Sequence, residues 1–188
     1  MYIYAGDEHI AAVTDKVDAD RHRHLMLQIS VSFGSEFDVT VEGREIHCKG
    51  ILIGSKAEHT FYSNQERQIF FLIDNTSMLA KQVREKFLKE QCCCILTEPV
   101  ITQLQALLHS CGPIQDREQY LRMYGRFFEL LQINTKLRPV MDERILELLS
   151  RIKNCREGSH SLEEMAKGLF LSQSRLSHLF KKETGMSL

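Results

Sequence analysis

An α+β fold is predicted for this chain: an antiparallel β sandwich or small barrel followed by helices. Three observations predict it. Apolar residues alternate with period two from Leu25 to Phe33 and again from Phe37 to Val41, and glycines punctuate the segments. From Met78 onward the apolar spacing changes to three and four, the period of a helix. The final stretch, Ser161 to Leu188, holds two short amphipathic segments joined by a tight turn.

Composition sets the frame. The chain has 188 residues, room for one or two modest domains. Hydrophobic residues make up 43% and charged residues 26%, the balance of an ordinary soluble protein. The formal net charge is -1, so no global field draws the protein to nucleic acid, and any such affinity must come from a local patch. No apolar run is long enough to span a bilayer, and the first residues do not form a signal peptide, so the expected compartment is the cytoplasm. The 6 cysteines match no zinc ribbon or finger. The Cys92-Cys93-Cys94 run reads as small buried hydrophobes rather than a metal or redox centre.

The elements follow in order. Leu25, Leu27, Ile29, Val31 and Phe33 share one face of a strand expected to be half-buried. Phe37, Val39 and Val41 form the next strand. Glu42-Gly43 turns the chain into Ile46 and Cys48, and Lys49-Gly50 turns it again into Ile51–Ile53. His59–Tyr62 and Ile69–Ile73 complete the strands, the last fully buried. A helix then carries Met78, Leu79, Val83 and Phe87 on its dry side. Pro99 opens a second helix, where a missing N–H costs nothing, and Gly112-Pro113 closes it. Asp116 caps a third, striped by Tyr120, Tyr124, Phe127, Phe128 and Leu131. Residues 134–139 read as a polar linker ending at Pro139, between a domain at 1–133 and another at 140–188. Met141 to Cys155 reads as a helix supporting the final pair.

That pair carries the chemistry. Ser161 and Glu164 have the spacing of a capping box. Leu162, Met165, Ala166 and Leu169 fall on one face of the first helix, with Ala166 small enough for a steep helix crossing. Ser172 caps the second helix, in which Leu176, Leu179 and Phe180 point inward. Ser172, Gln173, Ser174, Arg175, Ser177, His178, Lys181 and Lys182 are left outside, with no acidic residue among them. Arginine and glutamine can bond guanine and adenine edges at two points, while lysine and serine suit phosphates. A recognition helix presents its N-terminal residues to the bases. Gln173, Ser174, Arg175 and His178 are therefore the expected base readers, and Lys181 and Lys182 the phosphate contacts.

The segment from Leu162 to Ser187 resembles the first helix-turn-helix of the AraC/XylS family of bacterial transcription regulators. The matching positions include Leu162, Ala166, Leu171, Ser172, Leu176, Ser177, Leu179, Phe180, Lys181, Gly185 and Ser187. More loosely, the strand region resembles that family's cupin-like effector domain, with His22-Arg23-His24, Gly43, Gly50 and His59 at the corresponding places. The resemblance implies an effector held inside the barrel, oriented by His24, Gln28, His59 and Tyr62. It also implies helices outside the barrel that pair two subunits, through Tyr120, Tyr124, Phe127, Phe128 and Leu131. Double-stranded DNA, an unidentified small-molecule effector, a second copy and RNA polymerase are the implied partners. Family members carry two helix-turn-helix units joined by a linker helix. The sequence stops where that linker helix is expected, so the expectation is either a fragment or naturally short form of such a regulator, or a protein with one reading helix per subunit.

No Ser-His-Asp set or carboxylate pair suggests catalysis, so a non-enzyme without a cofactor is expected. Enzymatic cupins place a glutamate four residues after their His-x-His pair, and this sequence has Gln28 there. Glutamine is a poor substitute for a charged ligand. His22, His24 and His59 are thus expected to carry no metal. The alternatives are a shortened regulator that dimerises or binds effector without holding DNA, and a metal-binding cupin enzyme or sensor.

Overall fold

The computed structural model describes residues 2–64, 66–136, 142–154, 161–184 and 187–188. It divides into two compact units, Met1–Leu137 and Arg138–Leu188. Residues 137–139 of the expected linker, together with Met141 and Cys155, lie outside the described residues.

The first unit contains ten strands: β1 (Tyr2–Ala5), β2 (His9–Thr14), β3 (Asp18–His22), β4 (Leu27–Ser32), β5 (Phe37–Val41), β6 (Arg44–Cys48), β7 (Gly50–Ile53), β8 (His59–Tyr62), β9 (Gln68–Ile73) and β10 (Cys93–Ile95). They form a six-stranded sheet in the order β1-β2-β9-β4-β7-β10 and a four-stranded sheet in the order β3-β8-β5-β6. All neighbours pair antiparallel. Its helices are α1 (Met78–Val83), running on into a π-helical turn over Arg84–Leu88, then α2 (Glu98–Cys111) and α3 (Arg117–Leu130). The predicted α+β class, with its antiparallel sheets, is what the chain adopts.

Two cores share the larger sheet. Leu27, Ile29 and Val31 of β4, Leu52 of β7, and Ile69, Phe71 and Ile73 of β9 pack against apolar residues of α1, α2 and α3. On the opposite face, Ile51 and Ile53 of β7 meet Phe37, Val39, Ile46 and Phe61 of the smaller sheet. Successive residues of a strand point to opposite faces, so β7 feeds both cores. β4 is likewise covered on both faces, and all six of its residues are buried. The sequence predicts a half-buried strand there. The second sheet and the helices cover both faces instead.

Local chemistry explains the turns and caps. Glu42 and Gly43 both have positive φ, 48° and 77°, which closes a two-residue hairpin between β5 and β6. Gly50 belongs to β7, opposite Val31, rather than to the turn before it. An added Cβ there would lie 3.1 Å from Leu96 Cδ1 and collide with Ile101 of α2, so glycine lets the helix approach the strand. Ser77 caps α1 and Asp116 caps α3, the latter accepting from Gln119 N–H at 2.8 Å.

The aromatic stripe of α3 faces inward. Tyr120, Phe127, Phe128 and Leu131 are buried, and Tyr124 is half-buried. Phe127 and Phe128 lie 4.8 and 5.3 Å, ring centre to ring centre, from Phe71 of β9. Tyr120 stacks on Tyr4, and Tyr124 on His9. This corrects the expectation of a subunit interface at these positions. Rings already enclosed by the unit's own sheet offer no surface to a second copy.

The second unit holds α4 (Glu143–Asn154), α5 (Leu162–Gly168) and α6 (Gln173–Thr184). Ile145, Leu148, Ala166, Leu169, Leu176 and Phe180 form its core, with Leu149, Leu162, Met165, Leu171 and Leu179 packed around them. The unit is small, and this one cluster unites all three helices.

Candidate functional site

The capping box forms as the sequence predicts. Ser161 Oγ accepts from Glu164 N–H at 3.2 Å, and Glu164 accepts from Ser161 N–H at 2.9 Å. The chain then turns through Phe170, whose φ is 56° and whose side chain is 98% exposed. A non-glycine residue in the left-handed region is uncommon. Leu171 N–H bonds back to Ala166 C=O at 2.9 Å, which fixes the turn. Ser172 Oγ accepts from Arg175 N–H at 3.2 Å and starts α6.

Leu176 and Phe180 hold α6 in the core, and its other face is open. Ser172, Gln173, Ser174, Arg175, His178, Lys181 and Lys182 are all exposed, and Ser177 is half-buried. The first acidic side chain on the helix is Glu183, 4.0 Å from Lys182. The helix thus presents a polar, basic surface with base-edge chemistry at its N-terminal end and lysines farther on.

The polar groups of the first unit converge differently from expectation. His22 ends β3, His24 lies in the connection to β4, and His59 opens β8. Their ring centres are 4.3 Å apart for His22 and His59, 5.1 Å for His24 and His59, and 5.6 Å for His22 and His24. Gln28 is buried, its carboxamide 3.2 Å from His24 Nε2 and 3.0 Å from Ser30 Oγ. Tyr62 does not join them. His59 and Phe61 point inward from β8, so by alternation Tyr62 points outward, and it is 46% exposed.

Each histidine anchors Nδ1 on a backbone carbonyl: His22 on Asp20 at 2.7 Å, His24 on Met26 at 2.9 Å, and His59 on Ala57 at 2.9 Å. A carbonyl accepts only, so each Nδ1 donates to it; a neutral His22 or His59 ring then has its lone pair on Nε2, while His24 Nε2 faces the acceptor Gln28 Oε1 at 3.2 Å. Burial pushes the His59 pKa below its ordinary value. The bond to Ala57 opposes that shift, and His22 and His24 reinforce it. His59 is therefore held neutral.

Sequence reasoning missed two more polar residues on this side of the larger sheet. Ser30 follows Gln28 by two positions and is fully buried. Gln68 of β9 is also fully buried, and among the described residues neither polar atom of its carboxamide has a partner. Period-two alternation in β4 puts Ser30 on the face of Gln28, a signal present in the sequence. For Gln68 no comparable signal exists, because the strand pairing that brings it there is long-range.

Cys48 fits the buried-hydrophobe reading, but in the Cys92-Cys93-Cys94 run Cys92 is exposed and Cys93 and Cys94 are half-buried. Cys93 packs against the core of the smaller sheet, and burial raises its thiol to about 11 and that of Cys48 to about 12. Such thiols stay protonated and unreactive at neutral pH.

No family model matches this chain, and no curated protein sequence matches it. Among solved structures, the chain is similar to the AraC-like transcriptional activator CuxR, with a TM-score of 0.44 and 12% identity over 95% of this chain and 69% of that one. It is similar to apo ToxT K231A from Vibrio cholerae, with a TM-score of 0.40 and 10% identity over 97% and 96%. A cupin protein from Bacteroides fragilis matches 38% of this chain and 70% of its own, with a TM-score of 0.33 and 11% identity. Among the described residues no helix is long and apolar enough to cross a membrane.

Proposed function

We propose that this protein is a DNA-binding transcription regulator, not an enzyme, whose first unit holds an effector that controls DNA binding by the second. The exposed face of α6 carries the reading. Gln173, Ser174, Arg175 and His178 meet base edges in the major groove, and Lys181 and Lys182 meet phosphates. The capping box and the core formed by Ala166, Leu176 and Phe180 keep this helix at a set angle to α5, which a base-reading helix needs. His24, Gln28 and His59 line the effector site, and Tyr62 drops out of the set. Two copies acting together bind half-sites spaced by whole helical turns.

The test begins with selection of bound sequences from a random DNA pool. Affinity for the enriched sequence is then measured against salt concentration. Arg175→Ala is expected to lose about 1–3 kcal/mol and relax preference at one base, and Lys182→Ala to lower the salt slope by about one. Failure to enrich any sequence, or an Arg175→Ala protein identical to wild type in affinity and salt slope, would sink the assignment.

A further inference from the structure

We infer that Phe170 is a base-reading residue: its ring packs on the C5-methyl group of a thymine at the edge of the sequence that α6 reads. The inference rests on the regulator reading above and adds to it an apolar contact that the polar face of α6 lacks.

Exposure singles the residue out. Phe170 is 98% exposed, whereas the next most exposed large apolar side chains among the described residues, Ile3 and Leu25, stand at 59%. Its backbone lies in the left-handed region at φ 56°. Glycine takes that conformation at no steric cost, so a turn shaped for geometry alone has no use for a phenyl ring there. Local backbone strain of this kind gathers at functional positions.

The neighbours hold the ring out. Leu169 is buried in the core of the second unit, and Leu171 packs against that core. Leu169 N–H donates to Ala166 C=O at 3.1 Å, Phe170 N–H to Lys167 C=O at 3.2 Å, and Leu171 N–H to Ala166 C=O at 2.9 Å. The backbone is thus pinned on both sides of the ring. Two residues later Ser172 caps α6, so Phe170 stands at the end of the helix that carries Gln173 and Ser174. That end of a recognition helix is the one that meets base edges.

Surface chemistry selects DNA as the occupant. Lys167, Gly168, Ser172 and Gln173 flank the ring in sequence and are all exposed. A single ring among polar and charged groups is not the contiguous apolar patch that a protein partner covers. Lys167 brings a positive charge to the last turn of α5, while Glu163 and Glu164 lie in its first turn, at the far end. A cation beside the ring suits a groove walled by phosphates. In the major groove the base edges offer hydrogen-bond donors and acceptors and one apolar group, the thymine methyl. Arg175 and Gln173 suit guanine and adenine, and Phe170 suits the methyl that marks thymine.

The experiment uses the full chain and selection from a random DNA pool, run in parallel on wild type and on Phe170→Gly, which keeps the turn and removes the ring. Wild type is expected to enrich a sequence with a fixed thymine, and Phe170→Gly the same sequence with that position relaxed. Each thymine of the wild-type site is then replaced by deoxyuridine, which removes only the methyl group. One such replacement should weaken wild-type binding about fourfold, the effect of burying roughly one methyl-sized group, and leave Phe170→Gly unchanged. Phe170→Asn, which also tolerates this backbone, should behave as the glycine variant does. The inference is overturned if no deoxyuridine weakens wild-type binding. It is overturned too if the same deoxyuridine weakens the variants equally, which would leave Phe170 to a protein partner. Variants that keep their helices by circular dichroism but bind no sequence also overturn it, since one methyl contact cannot account for so large a loss. In each of these cases a weakened Arg175→Ala keeps the regulator reading standing. If wild type enriches no sequence, that reading fails first and this inference falls with it.

Discussion

Phe180→Ala separates the stability of the second unit from that of the sheets. The ring is 3% exposed and packs among Ile145, Leu148, Ala166, Leu169 and Leu176. Truncating a buried phenylalanine to alanine costs about 3–5 kcal/mol, because the lost transfer energy is joined by a cavity that small cores cannot close. A unit of about fifty residues has roughly 2.5–7.5 kcal/mol to lose. The substitution therefore removes most or all of the stability of α4, α5 and α6. The assay exploits the distribution of chromophores. All 5 tyrosines lie in the first unit, and the chain has no tryptophan. The tyrosine band of the near-ultraviolet spectrum thus reads the first unit alone, while the far-ultraviolet helical signal reads both. The expected result is loss of helical signal at temperatures where the tyrosine signal persists. Two outcomes would refute the reasoning: a tyrosine signal that vanishes in step with the helices, or a helical melt that moves by less than about 1 kcal/mol.

Three further predictions follow from particular contacts. Gly50→Ala places a methyl against Leu96 and Ile101, so denaturant unfolding should show a loss of about 1–3 kcal/mol; a neutral result would mean that α2 does not press on β7. Phe170→Gly relieves a left-handed backbone worth about 1–2 kcal/mol, partly offset by a freer unfolded chain, so the second unit should melt at a higher temperature. Burial lowers the pKa of both His9 and His59 below the ordinary 6.5. Above that value both states are neutral and stability is full. As pH falls through 6.5 the unfolded chain takes up protons first, so stability declines until the lowered folded values are passed. Urea midpoints that stay flat between about pH 7.5 and 5.5 would contradict the burial of these two rings.

How much was legible depended on whether the information was local. The second unit could be read almost residue by residue, because caps and helical stripes are short-range: Ser161, Glu164, Ser172, Leu176 and Phe180 all stand where their chemistry predicts. Strands β1, β2, β3 and β10 were not anticipated. His9–Thr14 shows no alternation because nearly all of it is buried, and Cys93–Ile95 is too short to show a period. The aromatic stripe of α3 was visible, but its partner was not, since a helical face records only that something covers it. For the same reason His24, Gln28, His59 and Tyr62 could be named from the sequence as polar candidates, while the outward turn of Tyr62 and the orientation of three imidazoles toward one another required strand pairing across the chain.

Strand β4 divides two kinds of selection. Its odd positions, Leu27, Ile29 and Val31, belong to the helix-facing core, and its even positions, Gln28 and Ser30, belong to the polar side with His24. Substitution at 28 or 30 can therefore change the polar side without touching the packing that keeps the unit folded. Insertion of a single residue exchanges the two sets and ruins both. A library that varies only the even positions should yield folded proteins, and divergence among natural relatives should follow the same two-residue rhythm.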